Sequence, residues 1–102
     1  MNATRKPFVV YNLRETYAEL GNFEFKVVMD QKFAKDGHLE ELQLVDSDMK
    51  PIRHEARRWG RKVNLSFTID ETVADGVASC HMKFVSGNGV TIPGKITFWI
   101  IK

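Results

Sequence analysis

The residues best able to do chemistry in this chain are its three histidines, and their spacing decides which chemistry is available. His38, His54 and His81 lie far apart, and none belongs to a His-x-His or His-Glu-x-x-His pattern. A zinc site needs such spacings or paired cysteines, because several ligands must converge on one ion. The sequence therefore predicts no metal site and places each histidine at the surface.

Two short motifs resemble ligand-binding loops and fail at their defining positions. Asp46-Ser47-Asp48 opens like a calcium loop, but Pro51 stands where glycine makes the sharp turn and Arg57 where a bidentate glutamate belongs. Gly87-Asn88-Gly89 lacks the third glycine of a dinucleotide fingerprint, since Ile92 takes that position. No Walker-type phosphate loop is present. The sequence therefore predicts no cofactor.

The nucleophile and acid candidates are better explained as structural residues. Cys80 is the only cysteine and lies between Ala78 and Met82 on the apolar face of a predicted strand, where free cysteine packs as a small hydrophobe. Asp70, Glu71 and Asp75 cluster at one corner, where carboxylates bond local amides. A hydrolase or other enzyme is the third and weakest hypothesis, because it needs distant loops to bring this corner together with His54 and His81. The sequence therefore predicts that the protein is not an enzyme.

A basic segment between Lys50 and Lys62 is the first feature with a functional interpretation. It carries six cations against Glu55 alone. Guanidinium groups bind phosphates and an aromatic ring stacks on bases, which suggests a polyanion-binding or nucleic-acid-binding site. The residues of that hypothesis are Arg53, Arg57, Arg58, Trp59, Arg61 and Lys62. The alternative is a solvated basic hairpin that pairs with nearby carboxylates.

The C-terminal strand is the second such feature, because both of its faces are apolar. One face carries Ile96, Phe98 and Ile100, and the other carries Thr97, Trp99 and Ile101. A sandwich strand normally buries one face. Either the segment from Phe8 to Tyr11 covers the second face, or Trp99, Ile101 and Thr97 form an interface with another subunit or protein.

The elements that must position these residues are short strands. Apolar residues alternate with polar ones in 63–69, 78–84 and 23–29, which is the period of a half-buried strand. Segments 39–45 and 52–59 are predicted strands that flank the turn-rich link 46–51, whose Asp and Ser side chains can bond their own backbone.

The chain ends are less regular. Asn88-Gly89 favours a type I′ turn that joins 78–84 to a strand over 90–92 and 95–101. Pro93-Gly94 predicts a bulge or an edge position in that strand, since proline lacks a ladder donor. Phe8 to Tyr11 is a short apolar run, and residues 14–20 fit either one helical turn or an irregular strand.

Seven or eight short strands predict an all-β chain folded as an antiparallel sandwich or a small barrel. Residues 63–101 resemble the late strands of immunoglobulin-like domains, in a disulfide-free form of bacterial or phage type. The residues that carry this resemblance are Leu65, Phe67, Ile69, Ala74-Asp75-Gly76, Ala78 and Cys80. The resemblance implies an immunoglobulin-like β-sandwich, a scaffold that serves adhesion, spacer and recognition roles.

Composition sets the remaining expectations. The chain has 102 residues, is 43% hydrophobic and 27% charged, and has a net charge of +2, which predicts one folded domain over 1–102. No membrane span or secretory stretch is evident, so we expect a cytoplasmic protein, or a virion protein if the source is viral. The leading hypothesis is a non-catalytic structural or interaction module, such as a capsid or tail protein or an assembly protein. Its partner would be another protein or further copies of itself.

Overall fold

The computed structural model describes residues 8–102, in which most of the regular structure is β-strand. The strands are β1 (Phe8–Tyr11), β2 (Thr16–Tyr17), β3 (Gly21–Met29), β4 (His38–Val45), β5 (His54–Trp59), β6 (Lys62–Ile69), β7 (Gly76–Val85) and β8 (Thr91–Ile100). One short helix, α1 (Gln31–Asp36), follows β3, and the Asp30 side chain caps it by accepting from the Lys32 amide. Among the described residues, no helix is long and apolar enough to cross a membrane.

The strands form two four-stranded sheets that face each other. Sheet A has the order β1-β3-β6-β5, and sheet B has the order β2-β8-β7-β4. These orders match the pattern of an immunoglobulin-like sandwich, in which successive strands either pair as hairpins or cross to the other sheet. All pairs are antiparallel except β2 with β8, which are parallel. The predicted all-β sandwich class is therefore confirmed.

Alternation in the sequence matches burial in the structure. In β6, Val63, Leu65, Phe67 and Ile69 are buried, and in β7 the buried residues are Ala78, Cys80, Met82 and Phe84. Each strand turns its apolar side toward the opposite sheet because its residues alternate between the two faces. The two sheets thus enclose one apolar core.

Aromatic rings fill both ends of this core. At one end, the Tyr17 ring packs edge-on against the rings of Phe23, Phe67 and Phe98 at centroid distances of 4.9–5.2 Å. At the other end, the Phe8 ring stacks on Phe84 at 5.0 Å. Because Phe8 and Tyr17 come from β1 and β2, the N-terminal strands complete the core of the later ones.

Residues 14–20, for which two structures were possible, contain a short strand and no helix. Thr16 and Tyr17 form β2, and its backbone continues the pairing when the Ile101 amide donates to the Tyr17 carbonyl at 2.9 Å. Burial of Tyr17 explains this outcome, since the parallel pairing with β8 directs its ring into the core.

The turn before β8 differs from the type I′ turn that the sequence predicts. The Gly89 amide donates to the Ser86 carbonyl at 2.9 Å, and Gly89, not Asn88, has the positive φ angle, +86°. This is a type I turn followed by a left-handed glycine, which is the usual three-residue hairpin loop. The Ser86 hydroxyl favours it by accepting from the Val90 amide at 3.0 Å.

Pro93 and Gly94 do not interrupt β8. Pairing with β7 runs from Gly76 opposite Ile100 to Val85 opposite Thr91 without a shift in register, so the predicted bulge is absent. The predicted edge position is confirmed, because β2 pairs with β8 only at its C-terminal end and Pro93 lies beyond it. Gly94 is required there, since a Cβ would lie 2.8 Å from the Phe84 ring.

The link between β4 and β5 is fastened to the corner before β7 by one carboxylate. Asp46 is 2% exposed, and its Oδ1 accepts from the amides of Asp48 and Lys50 at 2.9 and 3.0 Å. Its Oδ2 accepts from the Ala74 amide at 3.0 Å. Burial opposes ionisation, but these amides and the nearby Lys50 ammonium hold the pKa of Asp46 below its usual value. The motif that resembles a calcium loop is therefore a backbone-binding turn, as its Asp and Ser residues predict.

Candidate functional site

An apolar patch on the outer face of sheet B contains the predicted interface residues. Trp99 is 49% exposed and lies opposite Val77, which is 39% exposed, in the β7–β8 ladder. Thr97 precedes Trp99 on the same outer side of β8, and Ile101, 53% exposed, follows two residues after it. We call these four residues, Val77, Thr97, Trp99 and Ile101, the tryptophan patch. The structure thus brings together all three residues that the sequence singled out and adds Val77.

The N-terminal strand does not cover this patch. β1 pairs with β3 in sheet A, and Phe8 turns inward to stack on Phe84. Of the two explanations for the apolar second face of β8, coverage by residues 8–11 is therefore wrong. The Trp99 side chain remains half exposed although it lies on an interior strand of its sheet.

The patch is also electrically neutral. Thr16 lies beside Trp99 on β2, and Ser79 lies opposite Thr97 on β7. The nearest ladder pair that contains a formal charge is Lys95 with His81, one outward-facing position further along the strands. A neutral apolar centre with polar surroundings is typical of protein contact surfaces.

The basic segment forms β5, the edge strand of sheet A, and its residues are divided between two directions. Opposite the outward residues of β6 stand Glu55, Arg57 and Trp59. His54, Ala56 and Arg58 stand opposite the inward residues of β6. The six polyanion candidates therefore do not form one continuous surface, because Arg58 points to the opposite side from Arg57 and Trp59.

Two residues from distant segments extend the outward part of this basic surface. Tyr11 lies beside Lys26 in the β1–β3 ladder, and Lys26 lies beside Asn64, which is followed by Arg57 on β5. The next row across the sheet contains Lys62 and Trp59. Tyr11 and Lys26 were missed by sequence reasoning, since only strand pairing brings them near Arg57.

Contacts within the segment hold several of these side chains. The Arg58 guanidinium donates to the carbonyls of Gly60 at 2.7 Å and Gly37 at 3.4 Å. Arg57 pairs with Glu55 at 3.4 Å in an exposed position. The basic hairpin is thus solvated and only partly paired with carboxylates. Binding of a polyanion stays a prediction.

The catalytic candidates stay apart in the fold. Burial raises the pKa of the Cys80 thiol to about 12, so its thiolate form is scarce at neutral pH. His38 contacts Glu40 at 2.9 Å, and His54 contacts the Ile52 carbonyl at 2.7 Å. Within residues 8–102, no group of three His, Cys, Asp or Glu residues is placed to hold a metal ion.

Comparison with known proteins supports the fold. No family model matches this chain, and no curated protein matches it by sequence. The chain is structurally similar to CopC from Methylosinus trichosporium OB3b, with a TM-score of 0.57 over 86% of this chain and 83% of that one. The two sequences are 16% identical. A likeness at this level of identity concerns the architecture alone.

Proposed function

We propose that this protein is a non-catalytic interaction module that assembles through the tryptophan patch with a second copy of itself. The observation that carries the proposal is the half-exposed Trp99 beside Val77 and Ile101 on a regular sheet face. Aromatic side chains at the centre of a desolvated contact supply most of the binding energy in protein interfaces. The polar residues around the patch would form the rim.

A second copy fits because the patch is neutral and can face itself. In a two-fold symmetric contact, each residue meets the same surface on the partner, so a charged centre would repel its own copy. No ladder position next to Trp99 or Val77 carries a charge, and the two opposite charges that flank Ile101, Asp75 and Lys102, pair with each other at 4.0 Å. Residues around the four-residue patch would have to take part as well, since a stable interface buries about 800 Å² on each side.

The proposal that this module is non-catalytic is supported by the surroundings of the cysteine and the histidines. Cys80 is buried and its thiol pKa is about 12, the three histidines stand on separate strands, and two of them, His38 and His54, have local partners. A general base and a nucleophile have to lie within hydrogen-bond reach of each other. Assembly in a virion or in a bacterial adaptor stays a prediction within this proposal.

Two tryptophan variants test the proposal. Trp99→Lys should dissociate the assembly, because it places a charge at the centre of the contact. Loss of a central aromatic costs at least about 2 kcal/mol, so the dissociation constant should rise at least roughly 30-fold. Trp59→Lys is the matched control, since Trp59 is 63% exposed on the other sheet. Sedimentation equilibrium measures both variants, and equal dissociation of the two, or of neither, would contradict the assignment.

Polyanion binding is a second candidate, favoured by one observation. Lys26, Arg57 and Lys62 lie in adjacent rows of the outer face of sheet A, with Tyr11 and Trp59 beside them. Single-stranded nucleic acids bind such combinations of cations and rings. Binding of oligo-dT should then weaken steeply with salt, because phosphate contacts release counterions, and Lys26→Glu should reduce it. Salt-independent binding, or none at low salt, would eliminate this candidate.

A further inference from the structure

The edge strand β5 has an unusual exposure for a strand of a sandwich. All six of its residues are exposed, so both faces of the strand are open to solvent. Among the described residues, β5 pairs only with β6, through six consecutive antiparallel positions without a shift. One side of its backbone is therefore open along the whole strand.

The free backbone groups can be identified from the ladder. The Thr68 amide donates to the Arg53 carbonyl at 3.0 Å, which makes this a hydrogen-bonded pair. Because such pairs alternate along an antiparallel ladder, residues 55, 57 and 59 also face β6 with their backbone groups. The N–H and C=O groups of His54, Ala56 and Arg58 then point to the open side. They form a row of alternating donors and acceptors that an added strand needs.

The other edges of the two sheets are shorter or distorted. On β4, the ladder shifts register between Glu40 and Gln43, and Glu41 has a positive φ angle of +43°. Such a bulge prevents regular pairing with another strand. β1 has four residues and β2 has two. The side of β8 beyond β2 is open over a longer stretch, but Pro93 has no amide donor to offer there. Of the described edges, β5 is thus the longest that continues without a bulge or a proline.

The charge around β5 selects the chemistry of an added strand. Residues 53–62 contain five cations and one carboxylate, Glu55, and so carry a net charge of +4. On the inward side, Ala56 and Arg58 border a cavity of about 170 Å³ whose other lining residues are Leu39, Glu40, Glu41, Leu42 and Val63. The two carboxylates of β4 there disfavour acidic side chains, so the cavity suits the apolar side chains of an added strand and the cations on the outward side suit its carboxylates. An extended segment that pairs with β5 would place alternate side chains toward this cavity and toward Arg57 and Trp59.

We propose that β5 is a strand-addition site for an extended acidic segment of another protein. The segment would contribute backbone hydrogen bonds to His54, Ala56 and Arg58, carboxylates to the outward cations, and apolar side chains to the cavity between β4 and β5. A second copy of β5 fits less well, because two segments of charge +4 would repel each other. This site is on the opposite sheet from the tryptophan patch, so the two proposals can fail separately.

The test uses a labelled eight-residue peptide of alternating Glu and Val. Fluorescence anisotropy measures its binding to the full chain, and amide hydrogen exchange by NMR reports on β5. We expect slower exchange at 54, 56 and 58 on peptide binding, by at least about tenfold. The same peptide with alternate backbone amides N-methylated keeps its charge but cannot pair along that side. Two such peptides are used, one methylated at the odd-numbered amides and the other at the even-numbered amides. The peptide whose methyl groups face β5 should bind at least tenfold more weakly than the other.

A backbone variant provides the matched protein control. Ala56→Pro removes a donor on the open side without removing a bond to β6, and proline is tolerated at sheet edges. It should weaken binding at least tenfold while the circular dichroism spectrum stays unchanged. Arg57→Gln should weaken peptide binding because it removes a positive charge. At saturating peptide the amides of residues 54, 56 and 58 should still exchange slowly, because the backbone pairing is unchanged.

Several outcomes would overturn the proposal. One is equal binding of both methylated peptides without protection of the three amides, since attraction would then be only electrostatic. Another is binding of oligo-dT in place of the peptide, which would assign the basic surface to nucleic acid. Absence of peptide binding at low salt, or concentration-dependent self-association that Ala56→Pro abolishes, would also contradict it. If Ala56→Pro fails to fold, the methylated peptides still decide the question.

Discussion

Replacement of the buried carboxylate at the β4–β5 link by its neutral isostere is the sharpest test of how this fold is held together. In Asp46→Asn, the amide oxygen can retain the two bonds from the Asp48 and Lys50 amides. The side-chain NH₂ then replaces Oδ2 and faces the Ala74 amide, 3.0 Å from the present oxygen position. Two N–H donors, one from the substituted side chain and one from Ala74, would then face each other, and this hydrogen bond cannot form.

The cost follows from these three bonds. A hydrogen bond to a charged group contributes about 1.5–3 kcal/mol, and the bond from Ala74 is lost entirely. The two remaining bonds lose their charge assistance, which about halves each of them. We therefore expect the free energy of unfolding to fall by roughly 3–6 kcal/mol and the melting temperature to fall by at least about 12 °C.

Urea unfolding followed by circular dichroism measures this difference, with Asp48→Asn as the control because Asp48 is exposed two residues away. The slope of the unfolding free energy against urea concentration should stay the same, since the surface exposed on unfolding does not change.

The pKa of Asp46 is lowered in the folded state, so its stabilisation is present above about pH 4 and is lost as the pH falls further. The difference between the wild type and Asp46→Asn should therefore narrow in acid. A change below about 0.5 kcal/mol at pH 7 would refute this account of the junction.

Further predictions concern the core and the acid response. Cys80 in the native protein should react with a thiol reagent at pH 8 at least about 100-fold more slowly than in urea, and equal rates would contradict its burial. Gly94→Ala should lower the free energy of unfolding by about 1–3 kcal/mol, because its Cβ would lie 2.8 Å from the Phe84 ring and 3.0 Å from the Phe8 ring; unchanged stability would show that the rings can separate freely. The Thr72 hydroxyl and amide hold the pKa of Asp70 below its usual value, so Asp70→Asn should reduce the loss of stability below about pH 4, as measured by thermal unfolding across pH.

The strands were predictable wherever one face of the strand is buried. In 63–69 and 78–84, every second residue enters the core, so the apolar period in the sequence directly records the geometry. The same local rule cannot distinguish between turn types, because the loop at 86–89 depends on the Ser86 side chain as well as on Asn88-Gly89. It also left 14–20 undecided, since only the pairing with β8 fixes that segment.

The candidate surfaces were predictable only where they are local in sequence. Thr97, Trp99 and Ile101 share a side because they alternate along one strand. Val77 and Lys26 join their surfaces through cross-strand pairing, which a single sequence does not record. The open edge of β5 could not be predicted either, since it depends on the order of strands in the sheet.

The molar mass of the wild-type protein in solution tests the proposed assembly most directly. Light scattering at low and at high salt, after removal of nucleic acid, should give about twice the monomer mass of 11.7 kDa at both salts, because apolar contacts are not screened. A protein that remains monomeric at both salts up to high concentration would contradict the claim that the tryptophan patch is a self-association surface.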